Sequence, residues 1–339
     1  MQALVLPHVH APCFSRALSR RDDGTTNEPG PSGAPGVAPT GSLRPVGAAL
    51  DDLIDLLELE QLEVNLFRGL SPDEDRQRVF GGQVAAQALI AAGRTVDRGD
   101  VHSLHAYFLR PGDPRIPIIF DVDRIRDGKS FTTRRVVAIQ HGRAIFNLSA
   151  SFHVAEPGPE HQYTMPDAPD PETLPTFRER LEPHVDKFQP GFVDWIRRER
   201  PIDQRSTELP RWLNPVPMDR EPEQLVWFRA NGKLPEDPLL HACIVAYASD
   251  LTLLDTAVMA HANSWDDDRF MIASLDHAMW FHRPLDADEW LLYHQKSPSA
   301  QGARGIAEGF IYRHDGTLAV TVMQEGLIRP RAEEAPPSS

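Results

Sequence analysis

Asp250 stands inside an apolar run, with Cys243-Ile244-Val245-Ala246-Tyr247-Ala248-Ser249 before it and Leu251-Thr252-Leu253-Leu254 after it. A buried carboxylate is costly unless something compensates its charge. It is either a helix-end aspartate or a carboxylate retained for chemistry. Asp near a helix C-terminus opposes the helix dipole, and the apolar run resumes beyond it, so chemistry is the favoured reading. Gln324 poses the same question on a strand, because period two places it on one face with Leu318, Val320 and Val322, all aliphatic. A buried amide needs partners, and a satisfied core glutamine is an equally good reading. Ser274 shares a face with Ile272, and by itself a buried serine bonded to backbone is commonplace. His277 and His282 are tempting bases, but His105 lies in the matching part of an earlier repeat, which favours a structural role.

Other chemistries find no residues to carry them. The chain has no Gly-x-Ser-x-Gly elbow, no His-Glu-x-x-His and no glycine-rich phosphate loop before a helix. Cys13 and Cys243 are its two cysteines, too few for a disulfide framework or a Cys-based metal site, and a reducing compartment fits them best. No Cys and His cluster has ligand spacing, so the site is expected to need no metal. Lys and Arg number 35 against 49 Asp and Glu, a net charge of −14, which gives no footprint for nucleic acid or an anionic membrane. No uninterrupted apolar run approaches the roughly 20 residues of a bilayer crossing.

The elements that must position these residues come in two copies. Phe108-Leu109-Arg110-Pro111 recurs as Phe281-His282-Arg283-Pro284, 173 positions on, and the turn at Gly142 recurs at Gly316, 174 positions on. Leu66-Phe67-Arg68-Gly69 and Trp227-Phe228-Arg229-Ala230 each precede an apolar helix. Gly81 to Ile90 and Leu239 to Leu254 are small or apolar on nearly every face, so each should be buried all round. Alternating segments such as 118–122, 135–139 and 318–322, with turns at Asp127-Gly128, His141-Gly142 and Asp315-Gly316, predict antiparallel hairpins. A sheet wrapped around a long helix is the hotdog fold. The expectation is an α+β tandem (double) hotdog, two antiparallel sheets each wrapped around a long central helix. Residues 49–157 form the first unit, 158–219 a connector with a helix near 175–183, and 220–331 the second unit. Residues 1–48 and 332–339 are expected to be disordered tails, since they have no hydrophobic period. At offsets of 173 and 174, Ser274 aligns with Val101 and Gln324 with Ala150, so the site should lie in the second unit.

Gly81-Gly82-Gln83-Val84, Tyr107-Phe108-Leu109-Arg110-Pro111-Gly112, Tyr247-Ala248-Ser249-Asp250, Leu275 to Pro284 and Met323-Gln324-Glu325-Gly326, in this order, resemble the acyl-CoA thioesterase II family over about residues 50–330. The resemblance implies a hydrolase of medium- to long-chain fatty acyl-CoA thioesters in which an Asp, a hydroxyl residue and a Gln position and activate a water. Carried over, these are Asp250, Ser274 and Gln324, with Ser274 where the family usually has Thr. It implies no cofactor, CoA being part of the substrate, and association into a homo-oligomer. A hotdog enoyl-CoA hydratase or dehydratase is the alternative enzyme, disfavoured because Asp255 has no His nearby in sequence and Asp276 and His277 point to opposite faces of a strand. A non-catalytic acyl-CoA-binding module would have no use for the carboxylate. With no secretory segment and no peroxisomal C-terminus, the expected location is cytoplasmic.

Overall fold

The computed structural model describes residues 47–72, 77–187, 190–208, 221–261 and 269–331. The two expected tails lie outside these residues, except for the first helix start. The first half comprises α1 (Ala48–Leu57), β1 (Glu60–Glu63), β2 (Leu66–Gly69), α2 (Gly81–Gly93), β3 (Asp100–Phe108), β4 (Ile118–Asp127), β5 (Phe131–Gln140) and β6 (Arg143–His153). After α3 (Phe177–Leu181), α4 (Pro190–Arg197) and β7 (Ile202–Ser206) come β8 (Glu223–Ala230), α5 (Pro238–Ser249), α6 (Leu253–Val258), β9 (Phe270–Ser274), β10 (Asp276–Phe281), β11 (Leu291–Gln301), β12 (Arg304–Arg313) and β13 (Leu318–Pro330).

The strands form one antiparallel sheet rather than two. Its order is β1-β2-β4-β5-β6-β3-β10-β13-β12-β11-β8-β7, with β9 also paired to β13. The join is β3 against β10, where Tyr107 faces Asp276, His105 faces Ala278 and Ser103 faces Trp280. Pairing satisfies backbone groups that two separate sheets would leave on open edges. The repeat is visible in the register. Val101 faces Phe152 and Ala106 faces Leu148 in the first half. Shifted by 173 and 174 positions, Ser274 faces Gly326 and Met279 faces Val322.

Helix α2 packs on β3 to β6 and on α5. Every residue from Gly82 to Ala92 is buried, as its small apolar composition demands. The helices run antiparallel: a Cβ on Gly82 would meet the Tyr247 carbonyl at 2.6 Å, and one on Gly93 would meet Leu239 at 2.4 Å. The second helix departs from expectation. The apolar run Leu239–Leu254 is divided between α5, capped at its N-terminus by Asp237 Oδ1 accepting from the Leu239 N–H at 2.9 Å, and α6. Hydropathy alone cannot place that break. Counted together, Pro238–Val258 is long and apolar enough to cross a bilayer, contrary to the estimate from uninterrupted runs, but 67% of its apolar 18-residue window is buried within this fold.

The segment read as a connector adds β7 to the sheet beside β8. It also covers the outer face of the second half. Met165, Ala168 and Leu174 pack on Trp227, Trp290, Leu292, Tyr312 and Leu318 there, and Trp227 Nε1 donates to the Pro169 carbonyl at 2.9 Å. Leu318 therefore leaves the inner face it was expected to share with Val320. A register shift at Ile311/Tyr312, opposite the start of β13, accounts for the change.

Candidate active site

Asp250, Ser274 and Gln324, 74 residues apart at most, meet at the inner surface of the second half. Gln324 is fully buried on β13, and its Nε2 donates to Asp250 Oδ1 at 2.6 Å and to Ser274 Oγ at 3.0 Å. Ser274 ends β9 opposite Gly326, two residues beyond Gln324, so the pairing of the two strands brings hydroxyl and amide together. Gly326 in turn lets α6 approach closely, since a Cβ there would stand 2.3 Å from Leu254. The amide uses its two hydrogens on this pair. Its buried Oε1 has no donor among the described residues.

Asp250 is the C-cap of α5, with φ −86° and ψ −1°. The expectation that it would sit within a continuous helix is thus corrected: it is a helix-end aspartate, the reading that the dipole argument disfavoured. The dipole of its own helix is offset by that of another. Antiparallel packing sets the end of α5 against the start of α2, where the Gly82 N–H donates to the carboxylate. Gly81 shares the contact, because a Cβ there would fall 2.7 Å from Asp250 Oδ2 and 2.7 Å from the Phe108 ring. In sequence this Gly-Gly pair is part of the family resemblance, with no role of its own. The available signal was a glycine pair opening a helix that is otherwise buried all round.

Burial pushes the Asp250 pKa up to about 6, against the pull of the Gln324 amide and the Gly82 N–H. Such a group is ionised at neutral pH and still accepts a proton readily. Asp255, on α6, has its pKa pushed well above the carboxylate range by burial and by the charge of Asp250. His277 is buried, its pKa lowered to about 4 by desolvation, and its Nε2 lies 2.8 Å from Ser249 Oγ. His282 Nε2 lies 2.8 Å from Thr321 Oγ1. Neither histidine is hydrogen-bonded to the triad. Val101 and Ala150, the aligned positions in the first half, are apolar and buried. A shallow pocket at the matching place is lined by Gly93, Val101, Phe152 and Leu239. Among the described residues no group of three or more His, Cys, Asp or Glu side chains could hold a metal ion.

The chain matches the model of the acyl-CoA thioesterase family over residues 197–327, and that of the acyl-CoA thioesterase N-terminal domain over residues 71–153. It is 41% identical over 281 residues to acyl-CoA thioesterase 2 of Haemophilus influenzae, an alignment covering 83% of this chain and 98% of that one. An acyl-CoA thioesterase II from Mycobacterium marinum superposes with a TM-score of 0.68 at 47% identity, over 83% of this chain and 99% of that chain. A hot dog fold protein of unknown function from Alicyclobacillus acidocaldarius, 18% identical, superposes with a TM-score of 0.65 over 83% of this chain and 99% of its own, which supports the fold. Two family models in chain order, with relatives matched over nearly their whole length, place this chain in the acyl-CoA thioesterase II family.

Proposed function

We propose that the protein hydrolyses medium- to long-chain fatty acyl-CoA to free fatty acid and CoA by direct attack of a water activated by Asp250. The observation that carries this reading is the Gln324 amide bridging the Asp250 carboxylate and the Ser274 hydroxyl. One group accepts a proton and two fix geometry, and the unsatisfied Gln324 Oε1 is an acceptor suited to a water hydrogen. A water O–H gives its proton to Asp250 as the oxygen bonds to the thioester carbonyl carbon. The C–S bond of the tetrahedral intermediate then breaks, and the sulfur leaves as thiolate, taking up the proton. The positive end of α2 favours the negative charge that develops beside it. A thiolate leaves readily, so no serine nucleophile is required.

In this reading the architecture is a double hotdog with α2 and α5 as the central helices, the second unit carries the chemistry, no cofactor takes part and the enzyme works in the cytoplasm as a homo-oligomer. A hydratase would need an acid and a base, and His277 is committed to Ser249. The test is thiol release from palmitoyl-CoA, followed with a thiol reagent across acyl-CoAs of graded length. Expected is release that survives a chelator and is greatest for medium to long chains. Loss of enoyl absorbance without thiol release would establish the hydratase instead, and neither signal would indicate a binding module.

A further inference from the structure

The break between α5 and α6 is made without Pro or Gly, through the sequence Ser249-Asp250-Leu251-Thr252. Interrupting a buried helix frees backbone carbonyls that must find donors. Tyr293 and Gln224, from two strands, donate to such carbonyls, and His277 and Gln295 hold the hydroxyls of the same two residues. On the near side of Asp250, Tyr293 Oη on β11 donates to the Ser249 carbonyl at 3.3 Å, and His277 Nε2 on β10 lies 2.8 Å from Ser249 Oγ. On the far side, Gln224 Nε2 on β8 donates to the Thr252 carbonyl at 3.1 Å, and Gln295 Nε2 on β11 donates to Thr252 Oγ1 at 2.7 Å. Gln224 and Gln295 are themselves joined at 2.9 Å. Thr256 Oγ1 on α6 donates to Gln295 Oε1 at 3.1 Å.

Ser249 and His277 have the composition of a nucleophile and its base, but the geometry denies them that use. Ser249 is fully buried, and its hydroxyl has the Ala246 carbonyl at 3.0 Å as an acceptor besides His277, so in the tautomer protonated at Nε2 His277 donates to Oγ and the pair serves to hold the helix end. We infer that His277, Tyr293, Gln224 and Gln295 are positioning residues: by gripping Ser249 and Thr252 they hold the break open and aim the carboxylate of Asp250 at Gln324 and the Gly82 N–H. This rests on the proposed role of Asp250 as the base. None of the four is bonded to the carboxylate. Their effect on turnover passes through the backbone on either side of it.

The test compares Tyr293→Phe, Gln295→Met, His277→Leu and His277→Gln with the wild-type protein, measuring kcat, KM, the acid limb of kcat/KM and the melting temperature. A misplacement of the base by about 1 Å costs up to roughly 100-fold in rate, so Tyr293→Phe and Gln295→Met should lower kcat by about 10-fold or more with KM within about twofold. The acid limb should move from its wild-type position. His277→Gln, which keeps an N–H for Ser249, should retain more turnover than His277→Leu. Tyr293→Phe removes a single oxygen and serves as the decisive variant should the others fail to fold. Folded variants with wild-type kcat and an unmoved acid limb, whatever their melting temperature, overturn the inference. Asp250→Asn in parallel separates the two ideas. If it is inactive while the clamp variants are normal, only the clamp fails; if it turns over normally, the assignment of the base fails.

Discussion

An aspartate whose pKa is raised to about 6 carries a stability cost. Its folded pKa exceeds the unfolded one near 3.8, so between these values the folded state binds more protons than the unfolded state. Its contribution to stability is full below about pH 4 and declines as pH rises through 6. The shift corresponds to at most roughly 3 kcal/mol, reduced by the exposure the side chain retains. Asp250→Asn should therefore melt higher than wild type at pH 7, with the gain vanishing near pH 4. A thermal scan at the two pH values checks this, and a lower melting temperature at pH 7 counts against the buried charge. Ser274→Ala and Gln324→Ala should each lower kcat with little change in KM, and Ser274→Thr should be tolerated. The losses from Gln324→Ala and Asp250→Asn should combine to less than their product, as for groups holding one water. Losses that simply multiply would separate Gln324 from Asp250.

At the scale of elements, the site depends on how closely the end of α5 meets the start of α2. Gly82→Ala would set a methyl group against the Tyr247 carbonyl at 2.6 Å, and Gly81→Ala against Asp250 and Phe108 at 2.7 Å. Overpacking of this kind typically costs about 1–3 kcal/mol. Both variants should melt lower, and Gly81→Ala should lose turnover out of proportion to that loss, which parallel kcat and melting measurements would show. The turns show how far sequence reaches. His141-Gly142 was legible, and both residues have positive φ, 49° and 69°. Gly302 and Ala303, at φ 61° and 60°, turn β11 into β12, a turn less legible in sequence because Gly302 is followed by alanine, which is no turn signal. The break at Asp250 was equally hidden. Its cause is distributed over Gln224, His277, Tyr293 and Gln295, which come together only after the sheet has formed. The alignment of Ser274 and Gln324 with apolar partners was legible, since it needed only the repeat.

Across the whole molecule, β3 and β10 pair about a local two-fold axis. His105 faces Ala278, its own counterpart 173 positions on, so the join resembles an isologous dimer contact made within one chain. The symmetry extends to the helices, since Gly82 against Tyr247 is mirrored by Gly93 against Leu239. It fails at the positions of Ser274 and Gln324. Where the second half has a hydroxyl and an amide, the first has Val101 and Ala150, and at its matching pocket Gly93 meets the end of the other helix. Val101→Ala and Ala150→Gly should accordingly lower stability while leaving kcat near wild type, and turnover abolished by either would mean that two sites act.

The role of Asp250 is tested most directly by the pH dependence of kcat/KM for palmitoyl-CoA in wild type and Asp250→Asn. Wild type should show an acid limb near pH 6, where burial places the carboxylate. In Asp250→Asn that limb should disappear, with kcat lower by roughly 100- to 10,000-fold and the substrate still bound. The same limb in the mutant, or turnover near the wild-type rate, would show that some other group takes the proton.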